Sequence, residues 1–324
     1  GWLIGEPNKG LNAMFVMMNS ARLGVGVQGL GLNEAAYQNA AAYARDRLQG
    51  RALNASKAPE GAADPIILHA DVRRMLLTAR AYAEGGRAFA YWIALMADQQ
   101  LHHPDEEQRK FGADMMALMT PIVKAFLTDN GFLRASECLQ VFGGHGYIRE
   151  WGMEQLVRDA RINMIYEGTN TIQSLDLLGR KVLMDNGAKL RKFGALVQAF
   201  VAEHGTSAAM SEFVTPLADL GDKVQKLTME IGMKALANQD EAGAAAVDYL
   251  RVVGHLVFAF FWARMAQVAL ARREADGDRV EPFYRAKLAT ARFYFQRLLP
   301  ETAYHIRAAR SGGKSLQEFA TDWF

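Results

Sequence analysis

From Val72 onward the apolar positions Met75, Ala79, Tyr82, Gly86, Phe89, Ile93 and Met96 recur at alternating spacings of three and four, the seam of a helix packed in a bundle. The same device returns along the chain. Asp105, Glu106 and Glu107 load acid into the first turn of a helix expected to run to about Val141, with Pro121 kinking it and Phe111, Met115, Leu118, Ile122 and Phe126 on its buried face. Leu190, Phe193, Leu196, Val197 and Phe200 form one further helical face, and Leu217, Leu220, Val224 and Leu227 another. Two longer helices are expected at about Asp240–Arg273 and Glu281–Arg310, their content an aromatic and aliphatic core with no clustered polar set. The chain has 324 residues, half of them apolar, which is enough for a large core, and an all-α fold follows.

The first long stretch is less ordinary. Leu11–Arg51 has helical periodicity but carries Gly24, Gly26, Gly29 and Gly31, each costing about 1 kcal/mol against alanine inside a helix. With no proline to stop it, the segment reads as a helix pressed so close to a neighbour that side chains are excluded. Gly1–Gly10, with its glycines, proline and NKG turn, reads as the end of a strand plus a loop. Ala52–Pro65, rich in Ala, Gly and Pro, should be a surface loop. His69 is expected to start the helix that follows.

Net charge is +2, with basic and acidic residues nearly balanced, so composition gives no electrostatic footprint for nucleic acid. Cys138 is the sole cysteine, which excludes an internal disulfide, fits a reducing compartment and leads us to expect a cytoplasmic protein. The longest apolar run, Val252–Ala263, is bounded by Arg251 and Arg264, too short to span a bilayer, and reads as buried helix. His102 and His103 have no third ligand at a useful spacing, so no metal site is expected. The sequence begins at Gly1 without methionine, and an earlier part of the polypeptide is expected.

Between Gln140 and Gln173 the pattern changes to QVFGGHGYIREWGMEQLVRDARINMIYEGTNTIQ. Gly143, Gly144 and Gly146 break the preceding helix, and their bare backbone can lie against a ligand, though most glycine clusters simply end helices. Met153–Ile162 is a short amphipathic helix. Glu167 and Gly168 follow on a connection, and Asn170 and Gln173 have the spacing of a capping box, so a helix should start just after the glutamate. A lone loop carboxylate is usually only solvated; one in a dry slot has the raised pKa needed by a base for a weakly acidic C–H.

The strings IYEGT, QVFGGHGY and RDRLQGR resemble the flavin-dependent acyl-CoA dehydrogenase family over most of the first 185 residues. RLGVGVQGLG and QVFGGHGYIREWGMEQ resemble the subgroup that includes 3-methylmercaptopropionyl-CoA dehydrogenases, which carries an extra carboxy-terminal helical domain. The resemblance implies the end of a truncated β-domain at residues 1–10, a four-helix bundle over 11–184 and an additional helical domain over 185–324. It implies that Glu167 removes the α-proton of an acyl-CoA while the β-hydrogen leaves as hydride to FAD. By the same match, Asn19, Arg22 and Gly168 contact the acyl-CoA; Thr169, Asn170 and Thr171 contact FAD. Arg47, Gln49, Gln140, Gly143 and Gly144 contact the FAD bound mainly by a neighbouring subunit. The usual string continues after Gln49 with Phe-Gly, where this chain has Gly50-Arg51. A homodimer or homotetramer and an electron-transfer flavoprotein as acceptor are further implications, and this chain alone is expected to bind FAD weakly or not at all. An acyl-CoA oxidase, and a non-catalytic helical binding homologue, remain alternatives at this level.

Overall fold

The structure is a computed structural model that describes residues 1–53, 58–279 and 281–324, apart from the side chains of Asn12, Val16 and Asp278. Three long helices make the frame: α1 (Gly10–Asp46), α2 (Ala70–His102) and α3 (Glu106–Val141). The seam positions of α2 from Met75 to Met96 are all buried. Asp105 caps α3, its carboxylate accepting from Glu107 N at 2.8 Å, and Pro121 sits inside an otherwise continuous helix.

The glycines of α1 divide by function. A Cβ on Gly26 would lie 2.8 Å from Val123 O, and one on Gly29 would lie 2.9 Å from Thr128 Cα. From α3, Gly131 returns the contact, its Cβ position lying 2.5 Å from Gly29 O. Backbone therefore meets backbone along this seam, and the two helices run parallel, since 26, 29 and 29 face 123, 128 and 131 in order. α2 runs against both, with Gly86 opposite Leu30 and Leu127 and Gly112 opposite Met96 and Gln100. Gly24 and Gly31 meet nothing within 4 Å, so close packing accounts for half of the four.

Beyond α3 come a single turn at Gly144–Tyr147, then α4 (Met153–Ile162) and α5 (Asn170–Leu175), which continues as a π-helix over Asp176–Leu183. This last rod lies against α3 and completes the four-helix arrangement. Next follow α6 (Ala188–His204), α7 (Ser211–Ala237), α8 (Asp240–Asp276), α9 (Pro282–Phe293) and α10 (Glu301–Arg310). The helix expected over Glu281–Arg310 is thus two: Tyr294–Leu298 winds as a π-helix and Pro300, which lacks an N–H, starts a new one.

One hydrophobic cluster runs from Leu30 and Phe126 through Leu177 and Phe258 to Ala309, so both parts of the chain share a core. Phe126 stacks edge-on against Phe258 at 4.9 Å, and Gly254 opens the space for it, since a Cβ there would meet the Phe126 ring at 2.3 Å. The apolar run Val252–Ala263 is buried within α8. α3 and α8 each contain a window long and apolar enough by composition to cross a membrane, but 72% and 83% of those windows are packed inside the protein. They are core helices here.

Other sequence expectations need correction. Gly1–Lys9 forms no strand, because Trp2, Leu3 and Ile4 are 95%, 73% and 82% exposed with no neighbouring strand to pair with among the described residues. In the loop expected over Ala52–Pro65, positions 54–57 lie outside the described residues, and the rest is organised by Asp64, whose buried carboxylate accepts from Ala52 N and Ala58 N, each at 2.8 Å. The carboxy-terminal helices also hold a clustered polar set. Arg251 donates to Glu301 at 2.6 Å, His305 bonds Asp248 and Glu301 at 2.7 and 3.1 Å, and buried His255 shares a 3.0 Å hydrogen bond with the Tyr294 hydroxyl. Arg251 and His255 on α8, and Glu301 and His305 on α10, are each four apart, so every pair reads as one helix's solvated face until the two helices meet.

Candidate active site

α4 ends at Ile162, and the chain turns back through Asn163–Thr169 before α5 begins. Three non-glycine residues have positive φ among the described residues. Asn8 and Asn186 are asparagines, which tolerate it; the third is Glu167, at φ 57. Gly168 follows at φ 84, so two consecutive left-handed residues throw the glutamate out of line with both helices. Holding such a turn costs of order 1 kcal/mol or more, and the neighbours supply the restraint. Arg22 Nε, on a side chain only 9% exposed, donates to Glu167 O at 3.3 Å. The buried Gln173 amide donates to Gly168 O at 3.2 Å and Glu167 O at 3.5 Å. Tyr166 donates through its hydroxyl to Gln28 on α1, and that hydroxyl lies 3.2 Å from Asn163 Oδ1.

Gly168 is required by packing as well as by φ, since a Cβ there would sit 2.7 Å from Gln173 Nε2 and 3.5 Å from the Arg22 guanidinium. The cap of α5 differs from the capping box expected at Asn170 and Gln173. Thr169 is the cap residue, its hydroxyl accepting from Ile172 N at 3.4 Å. Gln173 is instead bonded to the glutamate turn.

Asn170 is turned inward onto α3. Its Oδ1 accepts from Lys124 Nζ at 2.8 Å, and its Nδ2 donates to Thr128 Oγ1 at 2.9 Å and to Asp129 Oδ1 at 2.5 Å. Its backbone N–H goes to Met164 O at 3.1 Å. Both its side chain and its N–H are thus spent within the fold, so it anchors the turn and has no donor left for a ligand. Lys124 is fully buried. Burial brings its ammonium down to about 8, helped by the Arg22 charge and opposed by Asp129 and Glu167. Burial pushes the Asp129 carboxyl up, against the Asn170 hydrogen bond and the charges of Arg251, Lys124 and Arg161. Lys124 and Asp129 escaped the sequence reading, which placed Gln173 only in a capping box. The one signal was a lysine set inside the apolar run MALMTPIVKAFL.

Glu167 itself is half-buried, and no hydrogen bond or ion pair engages its carboxylate among the described residues. A half-buried carboxylate with free lone pairs, held by its backbone, is able to take a proton from a group placed beside it. Asn19, one turn before Arg22, is exposed on the same end of α1. Next to the turn, a cleft of about 320 Å³ opens between Thr169, Asn170 and Thr171, Asp129 of α3, and Val247 and Leu250 of α8.

The remaining candidates lie elsewhere. Arg47 follows the end of α1, about 37 Å of helix rise from Arg22. Gln49, Gln140, Gly143 and Gly144 are exposed near that far end, where Tyr43 stacks on Phe142 at 4.1 Å. Gln49 gives its carbonyl to His69 Nε2 at 2.7 Å, which joins His69, the residue before α2, to the loop. Gly143, at φ 57 and ψ −138, has a conformation open only to glycine, while Gly144 has no neighbour within 4 Å of a Cβ. Gly146 is a packing glycine, its Cβ position 2.3 Å from Leu139 O.

For an FAD, then, this chain offers two separated groups of donors. One is the exposed Arg47 guanidinium with the bare backbone at Gly143 and Gly144; the other is the exposed hydroxyls of Thr169 and Thr171 beside Glu167. Both suit phosphate or ring oxygens in chemistry. They do not close around one dinucleotide within this chain.

Residues 8–183 match the family described as "Acyl-CoA dehydrogenase, C-terminal domain", and residues 193–320 match "Acetyl-CoA dehydrogenase C-terminal like". The chain is similar to 3-methylmercaptopropionyl-CoA dehydrogenase of Ruegeria pomeroyi, 41% identical over 98% of this chain and 53% of that protein. It is also similar to the broad-specificity linear acyl-CoA dehydrogenase FadE5 of Mycobacterium tuberculosis, 33% identical over 93% of this chain and 50% of that protein. The chain thus spans about half the length of the curated relatives it matches. Among solved structures, Caenorhabditis elegans ACDH-11 in complex with C11-CoA superposes with a TM-score of 0.74 at 18% identity, covering 98% of this chain and 50% of that one. The acyl-CoA dehydrogenase from Bacillus anthracis complexed with FAD gives 0.73 at 20% identity, covering 98% and 52%. These likenesses identify the fold.

Proposed function

This chain belongs to the acyl-CoA dehydrogenase family, and from that premise we propose that it is the base-bearing helical part of an FAD-dependent enzyme that oxidises an acyl-CoA to its trans-2-enoyl-CoA. Glu167 takes the α-proton on its carboxylate. Arg22 and Gln173 hold the glutamate backbone, and Asn19, Arg22 and Gly168 would contact the acyl-CoA. The flavin, when bound, supplies the acceptor for the β-hydrogen. Thr169 and Thr171 would hold it at the base, and Arg47, Gln49, Gln140, Gly143 and Gly144 would serve the flavin of a neighbouring subunit, which requires a homodimer or homotetramer. An electron-transfer flavoprotein is the proposed acceptor of the electrons.

The observation that carries this reading is the left-handed backbone at Glu167. A strained non-glycine residue clamped by Arg22 and Gln173, with its carboxylate unengaged, is poor economy for a merely structural loop. For the acyl group we propose a small chain such as 3-methylmercaptopropionyl-CoA, supported by the 41% identity to the Ruegeria enzyme. In the flavin-loaded full-length protein, Glu167→Gln should keep its flavin and lose anaerobic bleaching by acyl-CoA. Unchanged bleaching would remove Glu167 as the base, and a panel of acyl-CoA thioesters on the unsubstituted enzyme tests the choice of substrate.

A further inference from the structure

A buried ammonium is expensive, and Lys124 is 0% exposed on the face that α3 turns towards the glutamate connection. Its hydrogen-bond partner, the Asn170 side-chain carbonyl at 2.8 Å, is neutral. A neutral donor would fill that role at less cost, so the charge calls for its own explanation. The groups around it supply one. The charges of Asp129 on its own helix, Arg22 of α1 and Glu167 of the turn act on it, while Arg161 of α4 and Arg251 of α8 act on Asp129. Two buried cations, Arg22 and Lys124, therefore act beside two half-buried carboxylates, Asp129 and Glu167.

We infer that Lys124 is a positioning residue for the proton abstraction: it pins the Glu167–Gly168 turn through Asn170 and couples its charge to that of the Glu167 carboxylate. The inference rests on Glu167 being the base. The mechanical half runs from Lys124 to Asn170, on to Thr128 and Asp129, and back along three residues of chain to Glu167. The electrostatic half is reciprocal. An ammonium favours the ionised carboxylate that waits for the α-proton, and proton uptake by the carboxylate removes one of the anions that keep the lysine charged.

The coupling can be read without turnover. In the 324-residue chain with lysines carbon-13 labelled at Cε, the Lys124 resonance is identified by its loss in Lys124→Arg. It should titrate near 8 in the unsubstituted chain, and Glu167→Gln should move the midpoint down. An unmoved midpoint overturns the coupling. For the pin, Lys124→Met should accelerate amide exchange in the turn about tenfold or more with exchange in α2 unchanged; equal turn exchange overturns that half. In the flavin-loaded enzyme, Lys124→Met should raise the acid limb of the pH profile for flavin reduction, and Lys124→Arg should restore it. A lower melting temperature with an unmoved acid limb would mean a structural lysine only and overturn the proposal. Should Glu167→Gln reduce flavin normally, the base assignment fails, and the resonance shift still decides whether the two side chains are coupled.

Discussion

Replacing Gly131 by alanine should weaken the α1–α3 seam by an amount the structure lets us work out. The new Cβ would lie 2.5 Å from Gly29 O, 3.0 Å from its carbonyl carbon and 3.1 Å from its Cα, all of them backbone atoms that cannot rotate away. Ordinary carbon–oxygen contacts run about 3.3–3.6 Å, so the helices must part by roughly 0.8–1 Å. Overpacking costs about 1–3 kcal/mol, and with fixed backbone on both sides the upper part, about 2–3 kcal/mol, applies; alanine returns about 1 kcal/mol of helix propensity, which leaves a net loss of about 1–2 kcal/mol. Gly24 is the control, because it lies in the same helix with nothing within 4 Å. Gly24→Ala should gain about 0.5–1 kcal/mol. An unfolding entropy of about 2.1 cal/mol/K per residue over 324 residues makes 1 kcal/mol worth about 1.5 °C. Thermal melts by circular dichroism should therefore show Gly131→Ala about 1.5–3 °C below the unsubstituted chain and Gly24→Ala about 1 °C above it. If Gly131→Ala melts at or above the unsubstituted chain, close backbone approach is not what the glycines of α1 and α3 provide.

Glu301→Gln should destabilise the chain by about 1–3 kcal/mol, because it leaves Arg251, 8% exposed, without its anion. Burial works against charge on Glu301, but its hydrogen bonds with His305 and Arg251 and the Arg251 charge hold the carboxyl well below its ordinary value. That contribution is complete above the ordinary glutamate pKa of about 4.5 and is lost as pH falls towards the depressed value, so denaturant melts should weaken in acid for the unsubstituted chain and less for Glu301→Gln. Cys138 is buried, and burial pushes its thiol up to about 12; a thiol reagent should react at least about a hundredfold more slowly with the native chain than with the urea-unfolded one. The 324-residue chain purified alone should carry no stoichiometric flavin, since Arg47 stands about 37 Å along α1 from Arg22, which holds the turn that carries Thr169 and Thr171; a yellow preparation with one flavin per chain would contradict this.

The frame was legible because it is written in local terms. The three–four spacing in α2, the acids before α3 and the bounds of α4 each depend on residues within a turn or two of one another. The glycines of α1 could be read as a close contact, but not their partner, because Gly131 lies about a hundred residues away and contributes no periodicity of its own. At the candidate site, the glutamate and its glycine stood out as a string. The parts that hold them did not. Lys124 stands in the sequence as a single lysine inside an apolar run, and Asn170 reads as part of a capping box, because their meeting is a product of tertiary packing. The same holds for Arg251, His255, Glu301 and His305, four residues from two helices that form one network only once α8 and α10 dock. The Glu281–Arg310 stretch was read as one rod because Pro300 follows a continuous apolar pattern, and the π-helical turns before it leave no mark in hydropathy.

Because Phe126 rests in the notch over Gly254, and Gly85 makes room for Phe258 and Trp262, the halves of this chain are interlocked and not merely adjoined. A protein engineer who cut after Met184 would strip a roof of aromatic rings from Tyr82 and Phe126 and leave a wide greasy face to water. Such a truncate should clump, and any loss of chemistry it showed would say nothing about the residues removed.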